Sequence, residues 1–312
     1  MANCLVTGGA GFIGSHLVEG LLEQDHSVRV LDDFSTGKRD NLAAVARRIE
    51  VIDGDISDPD VCLKACADID WVFHQAAVPS VPQSVDNPEA SHNANVNGTF
   101  NILMAARARK CRRVIYAASS SAYGDSDVSP KHEGLMPQPV SPYAVQKLTG
   151  EYYARAFFEC FGLETLSIRY FNVFGPRQDP ESQYAAAVPA FVTAVLADRP
   201  PTVYGDGEQT RDFSYIDNVV YGNLLAAKAE KTHGEVINVA CGYQVTINQI
   251  IRRVNELLGR DVKPLYAAPR PGDVRHSLAD IRLAKQLIGY EPIVNFEEGL
   301  AKAIDYYASL SG

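Results

Sequence analysis

The stretch that decides the fold is Asn3-Cys4-Leu5-Val6-Thr7-Gly8-Gly9-Ala10-Gly11-Phe12-Ile13-Gly14. Its first five residues predict a buried strand, and an amphipathic helical pattern follows over Phe12–Glu23. Between strand and helix, Gly8, Gly11 and Gly14 have the spacing G-x-x-G-x-x-G. Glycines at this spacing allow a tight strand-to-helix turn, a close approach of the backbone to a pyrophosphate, and close packing of the helix on the strand. The stretch therefore predicts a turn that binds a dinucleotide.

Short apolar runs alternate with longer amphipathic segments through the first half of the chain. The runs predicted to be buried parallel strands are Asn3–Thr7, Ser27–Leu31, Ile49–Ile52, Trp71–His74, Arg113–Ala118 and Thr165–Tyr170. The helices predicted between them include Phe12–Glu23, Asp58–Ala67, Pro88–Arg109 and Tyr143–Phe161. Repeated units of this kind predict an α/β fold with a Rossmann-type, doubly wound parallel sheet, which we assign to residues 1–171.

The pattern loosens in the second half of the chain. Pro/Gly-rich segments such as Pro200-Pro201 separate shorter helices near 185–198, 216–230, 246–258 and 297–310. We interpret residues 172–312 mainly as a smaller C-terminal α/β substrate-binding domain, with some segments returning to the sheet. Its predicted place is the carboxyl edge of the strands, where open α/β folds bind ligands.

The composition limits the classes of partner. The net charge is -9 with no basic run, which argues against nucleic acid or an anionic membrane as the main partner. We find no apolar segment of membrane-spanning length and no leader before the first strand, so we expect a cytoplasmic protein. The six cysteines are scattered, and Cys62 and Cys66 lack a second pair at zinc spacing. We interpret them as buried free thiols and predict no metal site.

The ends of the next strands indicate which dinucleotide binds. A carboxylate at Leu31-Asp32-Asp33 can accept both ribose hydroxyl groups and repels a 2′-phosphate, which favours NAD over NADP. Lys38 and Arg39 are the nearby cations that could instead favour NADP. Asp55-Ile56 is predicted to hold the adenine, with a solvated turn as the alternative. Gln75-Ala76-Ala77 suits a backbone close to the cofactor, although tight packing also explains its small residues.

A tyrosine and a lysine lie one helical turn apart after the fifth strand. Tyr143 and Lys147 share a helix face, and an ammonium group beside a phenol lowers the phenol's pKa. A phenolate can remove a hydroxyl proton while a hydride leaves the same carbon. Ser119, at the end of the preceding strand, can hold the substrate oxygen and relay that proton. The arrangement predicts hydride transfer at a hydroxyl-bearing carbon, with Ser119, Tyr143 and Lys147 as the catalytic residues.

With these residues the whole chain resembles the extended short-chain dehydrogenases, and within them the UDP-hexose 4-epimerases. The stretches that carry the resemblance are Leu31–Gly37, His74–Ala77, Asn95–Thr99, Arg169–Pro176 and Arg211–Phe213. The cofactor-binding positions that this reading assigns are Gly8, Gly11, Phe12, Ile13, Gly14, Asp32, Asp33, Phe34, Ser35, Thr36, Gly37, Asp55, Ile56, Gln75, Ala76, Ala77, Asn95, Tyr143, Lys147 and Tyr170. The substrate-binding positions are Ser80, Val81, Ser119, Ser121, Tyr143, Asn172, Ala186, Val188, Tyr204, Arg211, Arg270, Asp273 and Ser277.

The resemblance also implies a reaction. Relatives that dehydrate or decarboxylate the sugar carry acidic groups just after the catalytic serine or threonine, where this chain has Ser120 and Ser121. Their absence favours 4-epimerisation through a transient 4-keto sugar, with NAD unchanged at the end. A dehydratase, decarboxylase or reductase acting on a nucleotide sugar is the alternative. A non-catalytic NAD-binding protein is a remote one, because such proteins usually lose the Tyr/Lys pair.

Substrate choice and assembly follow from the same resemblance. Ser277 and Ala186 stand where epimerases restricted to UDP-glucose and UDP-galactose have Tyr and Asn. The smaller residues leave room for a 2-acetamido group, and Ser80–Ser84 with Arg177–Pro180 resembles the UDP-N-acetylglucosamine 4-epimerase subgroup. We therefore favour UDP-N-acetylhexosamines, with plain UDP-hexoses left open. Family members pair through the helices at 88–109 and 142–161, so we expect a homodimer.

Overall fold

The computed structural model describes residues 1–180, 187–269 and 274–310. In chain order the strands are β1 (Asn3–Thr7), β2 (Ser27–Asp32), β3 (Ile49–Asp53), β4 (Trp71–His74), β5 (Arg113–Ser119), β6 (Glu164–Tyr170), β7 (Val173–Phe174), β8 (Thr202–Tyr204), β9 (Thr210–Asp212), β10 (Ser214–Tyr215), β11 (Glu235–Val239), β12 (Gln244–Thr246) and β13 (Leu265–Ala267). The helices are α1 (Phe12–Glu23), α2 (Pro59–Ala65), α3 (Val81–Asp86), α4 (Pro88–His92), α5 (Thr99–Ala108), α6 (Pro142–Phe161), α7 (Ala187–Leu196), α8 (Ile216–Lys228), α9 (Ile247–Leu258), α10 (Arg282–Ile288) and α11 (Phe296–Leu310).

The central sheet confirms the doubly wound prediction. Among the described residues it contains seven parallel strands in the order β11-β6-β5-β4-β1-β2-β3. Each of the six strands predicted from the sequence lies in it, with ends that agree within one residue. The strand order reverses at β1, whose neighbours are β4 and β2. Open α/β sheets bind their ligands at this reversal, outside the carboxyl ends of the strands.

Helices cover both faces of this sheet because successive strand residues point to opposite sides. In β1, Val6 belongs to a core that includes side chains of α1 and α8. Its neighbour Leu5 belongs to a second core with side chains of α2, α5 and α6. The apolar runs that predicted buried strands are therefore buried on both faces.

The second half of the chain is tied to this sheet by one buried cation. Arg113, at the start of β5, is fully buried and donates hydrogen bonds to the carbonyl groups of Ala226, Ala227 and Ala229. These carbonyl groups lie at the C-terminal end of α8, where a positive charge is favoured. Arg113 also pairs with Glu164 of β6. Strand β11, from the same half, adds to the sheet beside β6.

The remaining strands form small two-stranded sheets near the carboxyl edge. In the described part of the chain these pairs are β7 with β10, β9 with β12, and β8 with β13. Asp212, at the end of β9, is buried and accepts hydrogen bonds from the amide groups of Cys241, Gly242 and Ala279. Burial raises the pKa of Asp212 to about 6. The Asp212 carboxyl group thus fixes two loops next to Arg211.

One helix differs from its prediction. The segment predicted as a single α-helix over Pro88–Arg109 contains a π-helical turn, Asn93–Gly98, between α4 and α5. The Asn95 amide exchanges hydrogen bonds with both the N–H and the carbonyl group of Val78. These contacts with a distant loop rotate Asn95 inward, and periodicity along one segment does not reveal them. Single π turns of this kind often occur at functional sites.

The sequence did not predict strands β7–β13 individually, and four short helices were missed: 3-10 helices at Arg39–Arg48 and Ser120–Tyr123, α3, and α10. Each of these helices is too short or too polar to show a helical apolar face over several turns. No helix within residues 1–180, 187–269 and 274–310 has both the length and the apolar character to cross a membrane.

Candidate active site

The glycine-rich turn between β1 and α1 is held by close backbone contacts. Gly8 has a φ of +67°, and a Cβ atom there would lie 2.7 Å from the amide nitrogen of Ala76. A Cβ atom at Gly14 would overlap the carbonyl oxygen of Gly8. Gly11 is the N-cap of α1, and Phe12 and Ile13 begin the helix, whose first amide groups have no carbonyl partner within it. The turn therefore forms a narrow anion-binding cradle.

A buried carboxylate borders this cradle. Asp32, at the end of β2, accepts hydrogen bonds from the amide groups of Ala10 at 2.8 Å and Phe34 at 2.9 Å. Burial raises the pKa of Asp32, and these two amide groups oppose the rise. A carboxylate has about four acceptor positions, so capacity remains for ribose hydroxyl groups. Asp33 is exposed and closes a turn by accepting from the amide and hydroxyl groups of Ser35.

Lys38 and Arg39, the two cations that could favour NADP, are each paired with another residue near the loop after Asp33. The Arg39 guanidinium group lies 3.7 Å from the centre of the Phe34 ring and pairs with Asp53. Lys38 pairs with Asp179. Gly37 packs so close to Asp32 that a Cβ atom there would lie 2.8 Å from its carboxylate, and Thr36 is exposed between them. The loop thus folds around Asp32, as a ribose-binding carboxylate requires.

The third strand is followed by a tight turn. The exposed Asp55 accepts a hydrogen bond from the amide group of Ser57 at 2.7 Å. Ile56 is buried, and its carbonyl group accepts from Asn101. The Asp55 side chain therefore serves the turn that was weighed as its alternative role, while its second oxygen is left for a ligand.

A polar cluster links β4 and β6 to the second half of the chain. The Gln75 amide donates to the hydroxyl group of Tyr170 at 3.0 Å, and the buried Asn223 of α8 donates to the same oxygen at 2.9 Å. The backbone of Ala76 packs closely against Gly8. Ala77 follows Ala76 in the chain, beyond the carboxyl end of β4. Sequence reasoning missed Asn223. Its signal is a polar side chain on the apolar face of a predicted helix, which burial obliges to find a partner.

The π-helical turn connects the candidate cofactor side to the catalytic helix. The buried Asn95 donates to the side-chain oxygen of Gln146 at 2.8 Å, and Gln146 donates to Ser91. Gln146 lies between Tyr143 and Lys147 on α6. Asn95 therefore fixes the helix that carries both candidate catalytic side chains, in addition to the cofactor-lining role that the resemblance implies.

Ser119, at the end of β5, is hydrogen-bonded to Tyr143 of α6, and Lys147 follows one turn later on the same helix. Ser119 ends β5, and its hydroxyl oxygen accepts from the Ser121 hydroxyl group at 2.9 Å. Tyr143 is in the first turn of α6, where its amide group donates to Ser84. The Lys147 ammonium group is buried and lies 4.8 Å from the centre of the Tyr116 ring.

The pKa of Tyr143 differs from the sequence-based expectation. Burial raises it above its usual value, while a hydrogen bond with Ser119 lowers it. Burial also lowers the pKa of Lys147 to about 7, and the carboxylate of Glu151 opposes that shift. The protein alone therefore holds Tyr143 as a phenol at neutral pH, because the loss of water outweighs the hydrogen bond with Ser119.

The candidate substrate residues occupy the small sheets beside this centre. The Asn172 amide donates to the carbonyl group of Asp212 at 3.1 Å, next to Arg211. The amide group of Ser277 donates to the carbonyl group of Thr210 at 3.1 Å, on the other side of Arg211. Tyr204 is partly exposed at the end of β8. Asn172, Arg211 and Ser277 are therefore placed together by hydrogen bonds around β9.

Other candidates are placed differently. Ser80 is the N-cap of α3, and Val81 is exposed behind it. The Val188 side chain is fully buried among apolar side chains of the core. Ala186, Arg270 and Asp273 lie outside the described residues. In the part of the chain that the structure describes, no three His, Cys, Asp or Glu side chains are grouped to hold a metal ion.

Comparison with known proteins assigns the family. Residues 4–240 match the family described as "NAD dependent epimerase/dehydratase family". This chain belongs to that family. A UDP-N-acetylglucosamine 4-epimerase from Methanobrevibacter ruminantium, solved with UDP-N-acetylmuramic acid, is 40% identical over 99% of both chains, with a TM-score of 0.95. A UDP-glucose 4-epimerase from Thermotoga maritima, solved with UDP-glucose, is 37% identical over 99% of this chain and 100% of its own, with a TM-score of 0.95. A UDP-glucuronic acid 4-epimerase from Bacillus cereus, solved with UDP-glucuronic acid and NAD, is 35% identical over 99% of both, with a TM-score of 0.92.

The described residues fit the cofactor of the NAD-dependent epimerase/dehydratase family. A Cβ atom added at Gly8 or Gly14 would clash with the backbone of the cradle. The buried Asp32 carboxylate lies at the border of the cradle, where it accepts from the amide group of Ala10. Both features suit a pyrophosphate and an unphosphorylated ribose. The cofactor is NAD, as the sequence predicts.

Proposed function

We propose that this protein is an NAD-dependent 4-epimerase of UDP-hexoses, an isomerase. The observation that carries the proposal is the hydrogen bond between Ser119 and Tyr143, with the buried Lys147 one turn further along α6 and serines rather than acids at positions 120 and 121. The 4-epimerases that this chain resembles over almost their entire length support it. Residues 1–171 would bind mainly NAD, and residues 172–312 mainly the UDP-sugar.

In the proposed reaction the same side chains take part first in the oxidation at C4 and then in the reduction that reverses it. When bound, NAD accepts a hydride from C4 of the sugar and returns it. Tyr143 removes the proton of the C4 hydroxyl group, and Ser119 holds that oxygen and relays the proton. Lys147 stabilises the phenolate by its positive charge. After the 4-keto sugar has rotated, the opposite face of C4 is presented for return of the hydride, and the same side chains give the proton back to the C4 oxygen.

The UDP group is proposed to lie against β9. A pyrophosphate needs cationic or amide partners, and Asn172 and Arg211 are neighbours there. Arg270 is proposed as a further partner, and Tyr204 as part of the base pocket. Val188 would contribute packing or backbone contacts, because its side chain is buried in the core.

The test is conversion of sugars by the purified protein without added NAD. UDP-GlcNAc, UDP-GalNAc, UDP-Glc, UDP-Gal and UDP-GlcA are incubated separately, and the sugar is followed by NMR. We expect inversion at C4 of at least one pair, with no net change in NAD. Release of a 4-keto, decarboxylated or reduced product would favour the alternative enzymes. No conversion with or without NAD would contradict the proposal.

We propose that UDP-N-acetylhexosamines are the preferred substrates. The small Ser277, held against Thr210, and the UDP-N-acetylglucosamine 4-epimerase that is 40% identical both support this preference. We expect Ser277→Tyr to lower kcat/KM for the N-acetylated pair roughly tenfold relative to the plain pair, because a steric misfit of this size costs about 1–3 kcal/mol. The kcat/KM values of both pairs measure the effect, with Ser277→Ala as the control. An equal loss on both pairs would refute a role of position 277 in selection.

We also propose a cytoplasmic homodimer that forms through α4–α5 and α6. These helices expose large apolar side chains, among them Phe100, Met104, Val145 and Tyr153. The cysteines are free thiols, and most are buried, as in a reducing compartment. We expect light scattering to give the mass of two chains, and Met104→Glu to shift it toward one chain. A wild-type mass of one chain at micromolar concentration would contradict the dimer.

A further inference from the structure

A buried ion pair lies next to Lys147, on the side of α6 that packs against β6. The Glu151 carboxylate accepts hydrogen bonds from the Arg169 guanidinium group at 2.8 Å and 2.7 Å. The two side chains are 2% and 3% exposed. Burying such a pair costs several kcal/mol of desolvation per ion, so stability alone is a weak reason for its presence.

The pair is placed to act on Lys147. Glu151 follows Lys147 by four residues on the same helix face. Burial depresses the pKa of Lys147, and Glu151 is the charged group that opposes this effect. Burial raises the pKa of Glu151, and the cations of Arg169 and Lys147 both oppose that rise. The three charges therefore form a buried sequence of cation, anion and cation.

The other titratable groups around Lys147 have little capacity to take over this role. His74 on β4 is neutral, because burial lowers its pKa to about 3. Tyr116 on β5 and Tyr143 on α6 are neutral phenols whose pKa values burial raises. The charged or titratable residues on α3 and α4, which pack against α6, are exposed at the surface; they are Asp86, Glu89 and His92. Within residues 1–180, 187–269 and 274–310, Glu151 is therefore the buried carboxylate that acts on Lys147.

Arg169 is fixed from its other side. Its guanidinium carbon lies 4.5 Å from the centre of the Tyr123 ring. The Tyr123 hydroxyl group donates to Asn238 at 2.7 Å, and the Asn238 amide donates to the carbonyl group of Asp280. Arg169 is thus connected through Tyr123 and Asn238 to the backbone at Asp280.

We propose that Glu151 and Arg169 are positioning residues that set the charge of Lys147. Glu151 holds the ammonium group in its protonated form, and Arg169 limits how strongly the carboxylate does so. The inference rests on the proposed function only in that Lys147 serves the epimerase reaction.

The two single substitutions shift Lys147 in opposite directions. Glu151→Gln removes the anion and leaves the Arg169 cation unpaired, so Lys147 loses its proton at a lower pH. Arg169→Gln leaves an unpaired carboxylate beside Lys147, which then keeps its proton to a higher pH. Both variants lose the same ion pair, so a merely structural role would lower stability in both without opposite shifts.

The test is an NMR titration of the protein purified with NAD and labelled with ¹³C at the lysine Cε atoms. The Lys147 signal is identified by its loss in Lys147→Arg. An opposite charge within about 4–6 Å shifts a pKa by about 1–3 units. We therefore expect a midpoint at least about one pH unit lower in Glu151→Gln and higher in Arg169→Gln. The alkaline limb of the kcat profile should move in the same directions. Arg155→Gln, which removes an exposed ion pair with Glu159 on the same helix, should leave the midpoint unchanged.

Unchanged midpoints, or shifts in the same direction, would overturn the inference. If either single variant does not fold, Glu151→Gln/Arg169→Gln replaces the pair by two neutral amides. Its Lys147 midpoint should be lower than in the wild type, and an unchanged midpoint overturns the inference equally. Failure of the proposed function is distinguishable, because then the wild type converts no UDP-sugar while the NMR midpoints still shift.

Discussion

Tyr143→Phe is expected to lower kcat for 4-epimerisation by roughly 10²–10⁴-fold, the range that a positioned general acid–base contributes. The substitution removes only the hydroxyl group that would exchange the proton of the C4 hydroxyl. The Ser119 hydroxyl keeps its bond with Ser121, and the half-buried ring is retained. The loss should therefore be in catalysis and not in folding or in binding of the UDP-sugar.

Single-turnover kinetics and isothermal titration separate these effects. We expect the UDP-sugar Kd to change less than about threefold, or 0.65 kcal/mol. The matched control is Tyr152→Phe, which removes a hydroxyl group from an exposed tyrosine of the same helix and should keep full turnover. Turnover of Tyr143→Phe near the wild-type level would reject Tyr143 as the acid–base residue.

The direction in which the protein shifts the pKa of Tyr143 could not be predicted from the sequence. Burial raises the pKa of Tyr143, so the protein without its cofactor favours the phenol. The positive charge of oxidised NAD acts in the opposite direction once it is bound. If Tyr143 is the base, its phenolate would therefore form mainly in the complex with oxidised NAD, and proton removal would be limited to molecules that carry that cofactor.

The parts of the site that are local in sequence could be predicted. Three features depend only on residues close together in the sequence. They are the glycine spacing around Phe12, the carboxylate at Asp32, and the four-residue spacing of Tyr143 and Lys147. Strand ends follow from apolar runs, and the carboxyl ends of parallel strands meet at one edge. This is why the cradle, Asp32 and Ser119 lie at the edge that the sequence predicts.

What could not be predicted depends on pairing between distant segments. The π-helical turn contains Asn95, which forms two hydrogen bonds with Val78 in a separate loop, and the sequence does not specify that contact. The Glu151–Arg169 pair joins α6 to β6. A signal did exist, because an arginine inside an apolar strand cannot be buried without a partner. Burial also reversed the expected direction of the Tyr143 pKa, since desolvation depends on the whole fold.

Gly14→Ala is expected to have the next largest effect, on NAD binding. The added Cβ atom would overlap the carbonyl oxygen of Gly8, which is backbone and has little freedom to move. Helix α1 would have to shift away from the turn and move its N-terminal amide groups out of the cradle. Overpacking of this kind costs about 1–3 kcal/mol, and the same loss in binding weakens NAD affinity roughly 5–150-fold.

The control is a second glycine of the same helix. A Cβ atom at Gly20 would lie 2.7 Å from a methyl carbon of Val220, so the clash is with a side chain of α8 and not with the backbone of the cradle. We therefore expect Gly20→Ala to keep NAD, with any change in Tm reporting only the packing of α1 against α8. The NAD retained after gel filtration, its Kd by titration and the Tm distinguish the two variants. Wild-type NAD affinity in Gly14→Ala would show that the cradle tolerates a wider turn, and that the close approach of Gly14 to Gly8 serves helix packing alone.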